Sequence, residues 1–160
     1  MSEIQIKRLK SIFRHIRNVQ QNCELLAERL IEQGDFDFAK RLLINSMSHD
    51  KSKLIGIEWE YLHGDVKDNP ETQEKFFLAH QQHLANNEHH PEHWGGIEKM
   101  PDIYLAEFCC DISARASEFG TDIFDWLNNE CLKKYNFTKN SRTYKTIKKY
   151  LSLLLEKKFK

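Results

Sequence analysis

Residues that break helices are scarce in this chain. Three prolines and six glycines are spread over 160 residues, leaving long intervals in which nothing stops a helix. Alternating apolar and polar runs are missing, which excludes β-strands of any length. No apolar run approaches the roughly 20 residues that cross a bilayer, and the N-terminal MSEIQIKRLK does not read as a signal peptide. The four cysteines, Cys23, Cys109, Cys110 and Cys131, form no CxxC pair, so neither a zinc ribbon nor a thioredoxin-type site is indicated. Unpaired cysteines on helices suit a reducing compartment, and a cytoplasmic protein is expected. Net charge is lacking too: 24 basic side chains balance 24 acidic ones, so bulk charge points to no partner.

What is present reads as helix. Leu9, Ile12, Ile16, Val19, Cys23, Leu26 and Leu30 recur every three or four residues, the stripe of a long amphipathic helix. Gly34 suits its end and Asp35 the cap of a second helix over Phe36 to Ser48. The stretch from Gly56 to Asn69 reads as mostly loop, with one helical turn around Trp59. Asn69-Pro70 is a favourable helix start, so a third helix is expected from Pro70 to His89, stopped by Pro91. PEHWGGIEKMP forms a loop. A fourth helix is expected from Asp102 to Phe119, ended by Gly120, a fifth from Thr121 to Tyr135 and a sixth from Ser141 to Lys158. The expected fold is all-α: a compact single-domain bundle of about six helices spanning residues 1–160, long enough to bury a core without staples.

Charge is uneven at one end. From Lys133 to Lys160 there are ten Lys or Arg and one acid, Glu156. Tyr135, Phe137, Tyr144 and Tyr150 interleave with them, a pattern compatible with nucleic acid or another anionic partner. The favoured alternative is a solvated helix face above a core stripe of Ile147, Leu151 and Leu154.

The second feature is histidine. Five of the eight lie between His80 and His93. His80, His83, Asn87 and His90 step by three, four and three, so they share one face if helix persists. The alternative is a solvated polar face, but histidine at this density is costly to bury without a shared ligand. His49-Asp50 follows the apolar run of the second helix and offers an imidazole beside a carboxylate, both ligands for Mn, Fe, Mg or Zn. His15 shares a face with Ile12 and Val19, where a core-edge histidine with a hydrogen-bond partner is the competing reading. Asp111 lies in the apolar stretch Phe-Cys-Cys-Asp-Ile, where a buried carboxylate needs a cation or a metal.

In order these residues read His15, His49-Asp50, His83, His90, Asp111. That order resembles the HD-domain superfamily of metal-dependent phosphohydrolases, which are all-helical. The resemblance implies that His15, His49, Asp50 and Asp111 hold one metal. It further implies that two histidines between the pair and Asp111 hold a second, with Asp50 as the bridge. His83 and His90 are the first choice, His89 replaces His90 if the helix unwinds before Pro91, and His63 and His93 should lie outside. His49-Asp50-Lys51-Ser52-Lys53 is similar to the HD-x-x-K form, in which the lysine meets substrate phosphate. His89-His90 with Trp94-Gly95-Gly96 resembles a stretch of the branch that cleaves cyclic dinucleotides. Small bacterial and phage proteins of HD type look similar over HDKSK, NEHHPEHW and the Met-Pro before the last acidic helix. The resemblance covers roughly residues 10 to 120 and leaves the helices of 121–160 outside.

Such a site implies one or two divalent ions (Mn, Fe, Co or Zn, with Mg admitted), a phosphohydrolase activity and a small phosphate-containing substrate such as a nucleotide. A phosphomonoesterase and a phosphodiesterase both fit. Lys53 and Arg115 are expected to meet phosphate, Glu107 to orient a ligand histidine and Asp50 to carry the reaction. Two other readings stay open: a di-iron oxygenase of HD type, and a non-catalytic metal-binding or nucleic-acid-binding module. No membrane partner is expected.

Overall fold

A computed structural model describes residues 1–156. Helix α1 runs over Glu3–Glu32, capped by a reciprocal pair of bonds between Ser2 and Gln5. Helix α2 follows over Phe36–Ser46. The expected loop holds two short helices, α3 (Gly56–Tyr61) and α4 (Gly64–Lys67). Helix α5 covers Gln73–Asn86 and α6 covers Asp102–Phe119. Helix α7 (Ile123–Trp126) continues through a π-helical turn, Leu127–Cys131, into α8 (Leu132–Lys134), and α9 spans Arg142–Leu155. Among the described residues there is no strand, and no helix is long and apolar enough to cross a membrane.

The core forms where α1, α2, α6 and α9 pack together. Leu26, Leu30, Leu42, Leu105, Ile147 and Leu151 are almost wholly buried there, and removing that apolar surface from water is the main favourable term. All four cysteines are buried thiols within it. The C-terminal stripe also serves the core: Ile147, Leu151 and Leu154 are buried, as are Phe137, Tyr144 and Tyr150. Those aromatic faces are occupied by packing.

Several boundaries differ from the sequence reading. Helix α5 begins at Gln73, because Asn69 Oδ1 accepts from the Glu71 amide at 3.0 Å in a local turn. It also ends at Asn86, since Asn87 is extended (φ −116°, ψ 110°). Asp35 stands at the N-cap of α2 without a capping bond. Asp122, not Thr121, caps α7, accepting from the Asp125 amide at 2.8 Å. The last helix stops at Leu155 rather than Lys158, and the expected residues beyond 156 lie outside the described part.

A candidate metal centre

Three elements and two turns bring the site together. Helix α1 contributes His15. The chain leaves α2 at Ser46 and turns through His49 to Asp50, whose φ of 55° is left-handed. Aspartate tolerates that region better than most residues, yet the conformation still costs energy, and such strain is concentrated at functional sites. Helix α5 contributes His83, and the extended residues after it carry His89 and His90. Helix α6 supplies Glu107, Asp111 and Glu118, spaced by four and seven so that they share one face.

The ligand-type atoms fall into three groups, of which one joins His49, His89 and Glu107 and the other two surround Asp50. In the first of those two, His15, His49 and Asp111 converge. His15 Nε2 lies 3.1 Å from Asp111 Oδ1, and both His15 Nε2 and His49 Nε2 lie 3.6 Å from Asp50 Oδ2. In the second, Asp50, His83, His89 and His90 converge. His83 Nε2 and His89 Nε2 each stand 3.4 Å from Asp50 Oδ1, and His90 Nε2 is 2.9 Å from His83 Nε2. Asp50 thus turns one oxygen toward each group. His89 lies between them, its Nε2 also 3.7 Å from Asp111 Oδ2.

These separations suit shared ions. Two donors each about 2.1 Å from one ion lie about 3.0 Å apart in octahedral and about 3.4 Å apart in tetrahedral geometry. The hydrogen-bond inventory agrees: His15 Nε2, His49 Nε2, His89 Nε2 and Asp50 Oδ1 are buried and make no hydrogen bond. Four buried polar atoms left unpaired in one spot would be costly in a finished core. The donor set fits one or two divalent cations.

Carboxylates behind the imidazoles fix which nitrogen faces inward. His49 Nδ1 donates to Glu107 Oε1 at 2.9 Å, and His89 Nδ1 lies 3.5 Å from the same oxygen. His15 Nδ1 donates to Glu118 Oε1 at 3.0 Å, and His83 Nδ1 to Glu58 Oε2 at 2.8 Å. With Nδ1–H committed outward, each Nε2 presents a lone pair to the centre.

Electrostatics follow from burial and neighbours. Burial lowers the His83 pKa to about 3, with the Lys53 ammonium adding to the effect. Burial likewise lowers that of His90 to about 2, reinforced by His89 and His83. Both rings are therefore neutral. For His49 burial opposes charge, but the Glu107 hydrogen bond and the nearby Asp50 and Asp111 outweigh it and raise its pKa. Burial works against charge on Asp111 and Asp50 too. For Asp111 the nearby His15, His49 and His89 prevail, and for Asp50 the Lys53 ammonium and the histidines do, so both carboxyls stay ionised.

A cleft of about 1100 Å³ opens above the centre, lined by His15, His83, His90 and Asp111 at its floor and by Lys53 and Arg115. Lys53 Nζ rests 2.5 Å from Asp50 Oδ2, supplying the cation that the buried carboxylate needs. Arg115 pairs with Glu118 at 3.1 Å and is still 43% exposed.

The sequence profile described as a family of unknown function (DUF5662) matches residues 5–157. The chain belongs to that family. Searches of curated proteins and of solved structures each gave no match. The DUF5662 match takes in the helices after Gly120, which the HD resemblance leaves out, so those helices belong to the family unit.

In this DUF5662 chain His15, His49, Asp50, His83, His89, His90 and Asp111 all lie in the cluster, and Glu107 accepts from His49 Nδ1. His90 arrives by a different route from the one its spacing suggested. The helix has ended by then, so the bend at Asn87 brings in both His89 and His90. His80 stays on the exposed cleft wall, stacked on Phe76, and His63 and His93 bind backbone carbonyls elsewhere. Glu58 and Glu118 were missed. Glu118 carried a usable signal, standing seven residues after Asp111 on the same helix face; Glu58 sits in the single helical turn expected around Trp59, within a stretch otherwise read as loop.

Proposed function

We propose that the protein is a metal-dependent phosphohydrolase of HD type, acting on a small phosphate ester such as a nucleotide. The observation that carries this reading is Asp50, a buried carboxylate with one oxygen facing each of two histidine-rich donor groups. The order of the donors along the chain, similar to that of the HD superfamily, adds to it. Divalent ions held there would supply a nucleophile from water at neutral pH and positive charge for phosphate oxygens. Imidazole-rich donors favour Mn, Fe, Co or Zn over Mg.

The chain's own residues have definable parts. His15, His49 and Asp111 would hold one ion and His83, His89 and His90 another, with Asp50 available to both. Glu107, Glu118 and Glu58 orient the rings. Lys53 sits on a flexible four-carbon stem at the cleft floor, where its ammonium can pass from Asp50 to a phosphate oxygen once cations neutralise that carboxylate. Arg115 lines the same cleft, paired with Glu118 and still partly exposed, placed to steer an anion.

The test is a panel of nucleotides, cyclic dinucleotides and an aryl phosphate, offered to protein loaded with Mn, Co, Fe or Zn and followed for release of phosphate or nucleoside. Turnover that depends on metal and is weaker with Mg alone is the expected result. If every ester survives with stoichiometric metal bound, the hydrolase reading fails. Oxygen uptake by iron-loaded protein would then mark the oxygenase reading.

A further inference from the structure

Glu58 belongs to no part of the sequence-level site, and its surroundings are unusual for a carboxylate. It is 1% exposed and lies on α3. Its Oε2 accepts from His83 Nδ1 and from the Ser52 hydroxyl, both at 2.8 Å, while its buried Oε1 has no partner. Ser52 in turn accepts from the Asn87 amide at 3.1 Å, and that amide's other hydrogen goes to the His83 carbonyl at 2.8 Å. Both Asn87 hydrogens are thereby used, although its nitrogen also lies 3.1 Å from His83 Nδ1. The proton on His83 Nδ1 therefore belongs to the Glu58 bond.

This network joins the turn after Asp50, helix α3 and the end of α5, and it bears on one donor group only. Helix α3 packs on α5 and on Lys51–Leu54. The first group takes its support from α6, through Glu107 and Glu118. His90, the neighbour of His83, has no carboxylate behind it among the ion pairs found. Within the second group His89 lies against Glu107, which the first group also uses, so Glu58 is the buried acid that serves this group alone.

We propose that Glu58 is a positioning residue for the second metal ion: it holds His83 in the tautomer and orientation that aim Nε2 at Asp50, and so sets the affinity of that ion alone. The inference rests on the two-ion reading of the centre, and not on which ester is cleaved. Replacing the carboxylate leaves the first group's supports in place and removes the charge that fixes the His83 proton.

The experiment titrates metal-free full-length protein with Mn²⁺ by calorimetry, with metal content measured after gel filtration. Wild type is expected to bind two ions. Glu58→Gln is expected to keep one ion at wild-type affinity and to bind the other about 10- to 100-fold less well, the usual consequence of losing such a support. The double variant Glu58→Gln, His83→Ala should bind no worse than His83→Ala, because Glu58 acts through that ring. Ser52→Ala, which trims the network without touching the charge, should show a smaller loss at the same ion and covers the case in which Glu58→Gln fails to fold. Two ions at wild-type affinity in Glu58→Gln overturn the proposal, and so do equal losses at both ions, which mark a merely structural role. Wild type that binds fewer than two ions removes the two-ion reading itself, an outcome distinct from either of these.

Discussion

At the scale of single residues, the centre was legible because metal chemistry uses few side-chain types. Histidines crowded into one tract, an adjacent His-Asp and an acid among Phe, Cys and Ile are each odd in a helical core, and the cluster holds His83, His89 and His90 of the tract with His49, Asp50 and Asp111. The supporting acids were harder to see. Glu58 and Glu118 are two carboxylates among 24; Glu118 is marked only by its seven-residue step from Asp111, and nothing in the neighbourhood of Glu58 separates it from surface acids. Only the fold brings them behind His83 and His15. Asp50 is the residue on which the reading stands or falls. It is 1% exposed, in a left-handed conformation, and in contact with histidines from both groups. Asp50→Asn keeps the volume and the tolerance for positive φ but surrenders the bridging charge. Loss of metal-assisted charge stabilisation worth several kcal/mol corresponds to a fall of about a thousandfold or more in kcat. Activity in Asp50→Asn within tenfold of wild type, with metal present, would contradict the role given to it. Lys53→Ala should instead raise KM with metal content unchanged, since its part is to meet phosphate and not to bind cations.

At the scale of elements, periodicity located the helices and local chemistry set their ends. Helix α6 came out as expected, because its stripe is interrupted by Pro101 on one side and by Gly120, at φ +67°, on the other. Helix α5 did not, because Asn69 and Asn87 spend their side chains on local bonds that compete with helix. That competition made the site: had α5 continued to His89, His89 and His90 would not both face Asp50. After α2 the helical turn expected around Trp59 is present as α3, which carries Glu58, while α4 was not expected, because Gly56 and Gly64 look like loop. Helix α9 offers a clean test of end chemistry away from the centre. Its N-cap Ser141 accepts from the Tyr144 amide at 3.1 Å. Ser141→Ala should lower stability by about 1 kcal/mol in urea titration, while metal content and its affinity stay as in wild type. A change in metal affinity would mean that α9 and the centre are coupled in a way this packing does not account for.

At the scale of the whole molecule, the apolar core and the metal centre pull in different directions. Helices α1, α2, α6 and α9 bury enough apolar surface to fold the chain, while the centre confines histidines and acids whose inward atoms lack partners. Without cations that confinement is a liability, and its pH dependence has a definite sign. His83 and His90 titrate near 3 and near 2 in the folded chain, against about 6.5 when unfolded. Below that unfolded value the unfolded chain takes up protons that the folded one refuses, so each ring destabilises the fold increasingly as pH falls. His49 works the other way. Its raised pKa contributes stability that is complete below about 6.5 and disappears as pH rises through the folded value. With two rings against one, metal-free protein should lose about 1 to 2 kcal/mol between pH 7.5 and pH 5.5. His83→Ala and His90→Ala should each flatten that slope in the metal-free state. Bound cations stabilise the folded chain by mass action, about 2.7 kcal/mol for each site at a hundredfold excess over Kd. Chelation at pH 7.5 should accordingly lower Tm by about 5 to 10 °C for each ion lost in a domain of this size, and re-addition of Mn should restore it. A Tm that is indifferent to chelator, in protein shown to have held metal beforehand, would mean that these histidines are satisfied without a cation and that the donor geometry has another origin.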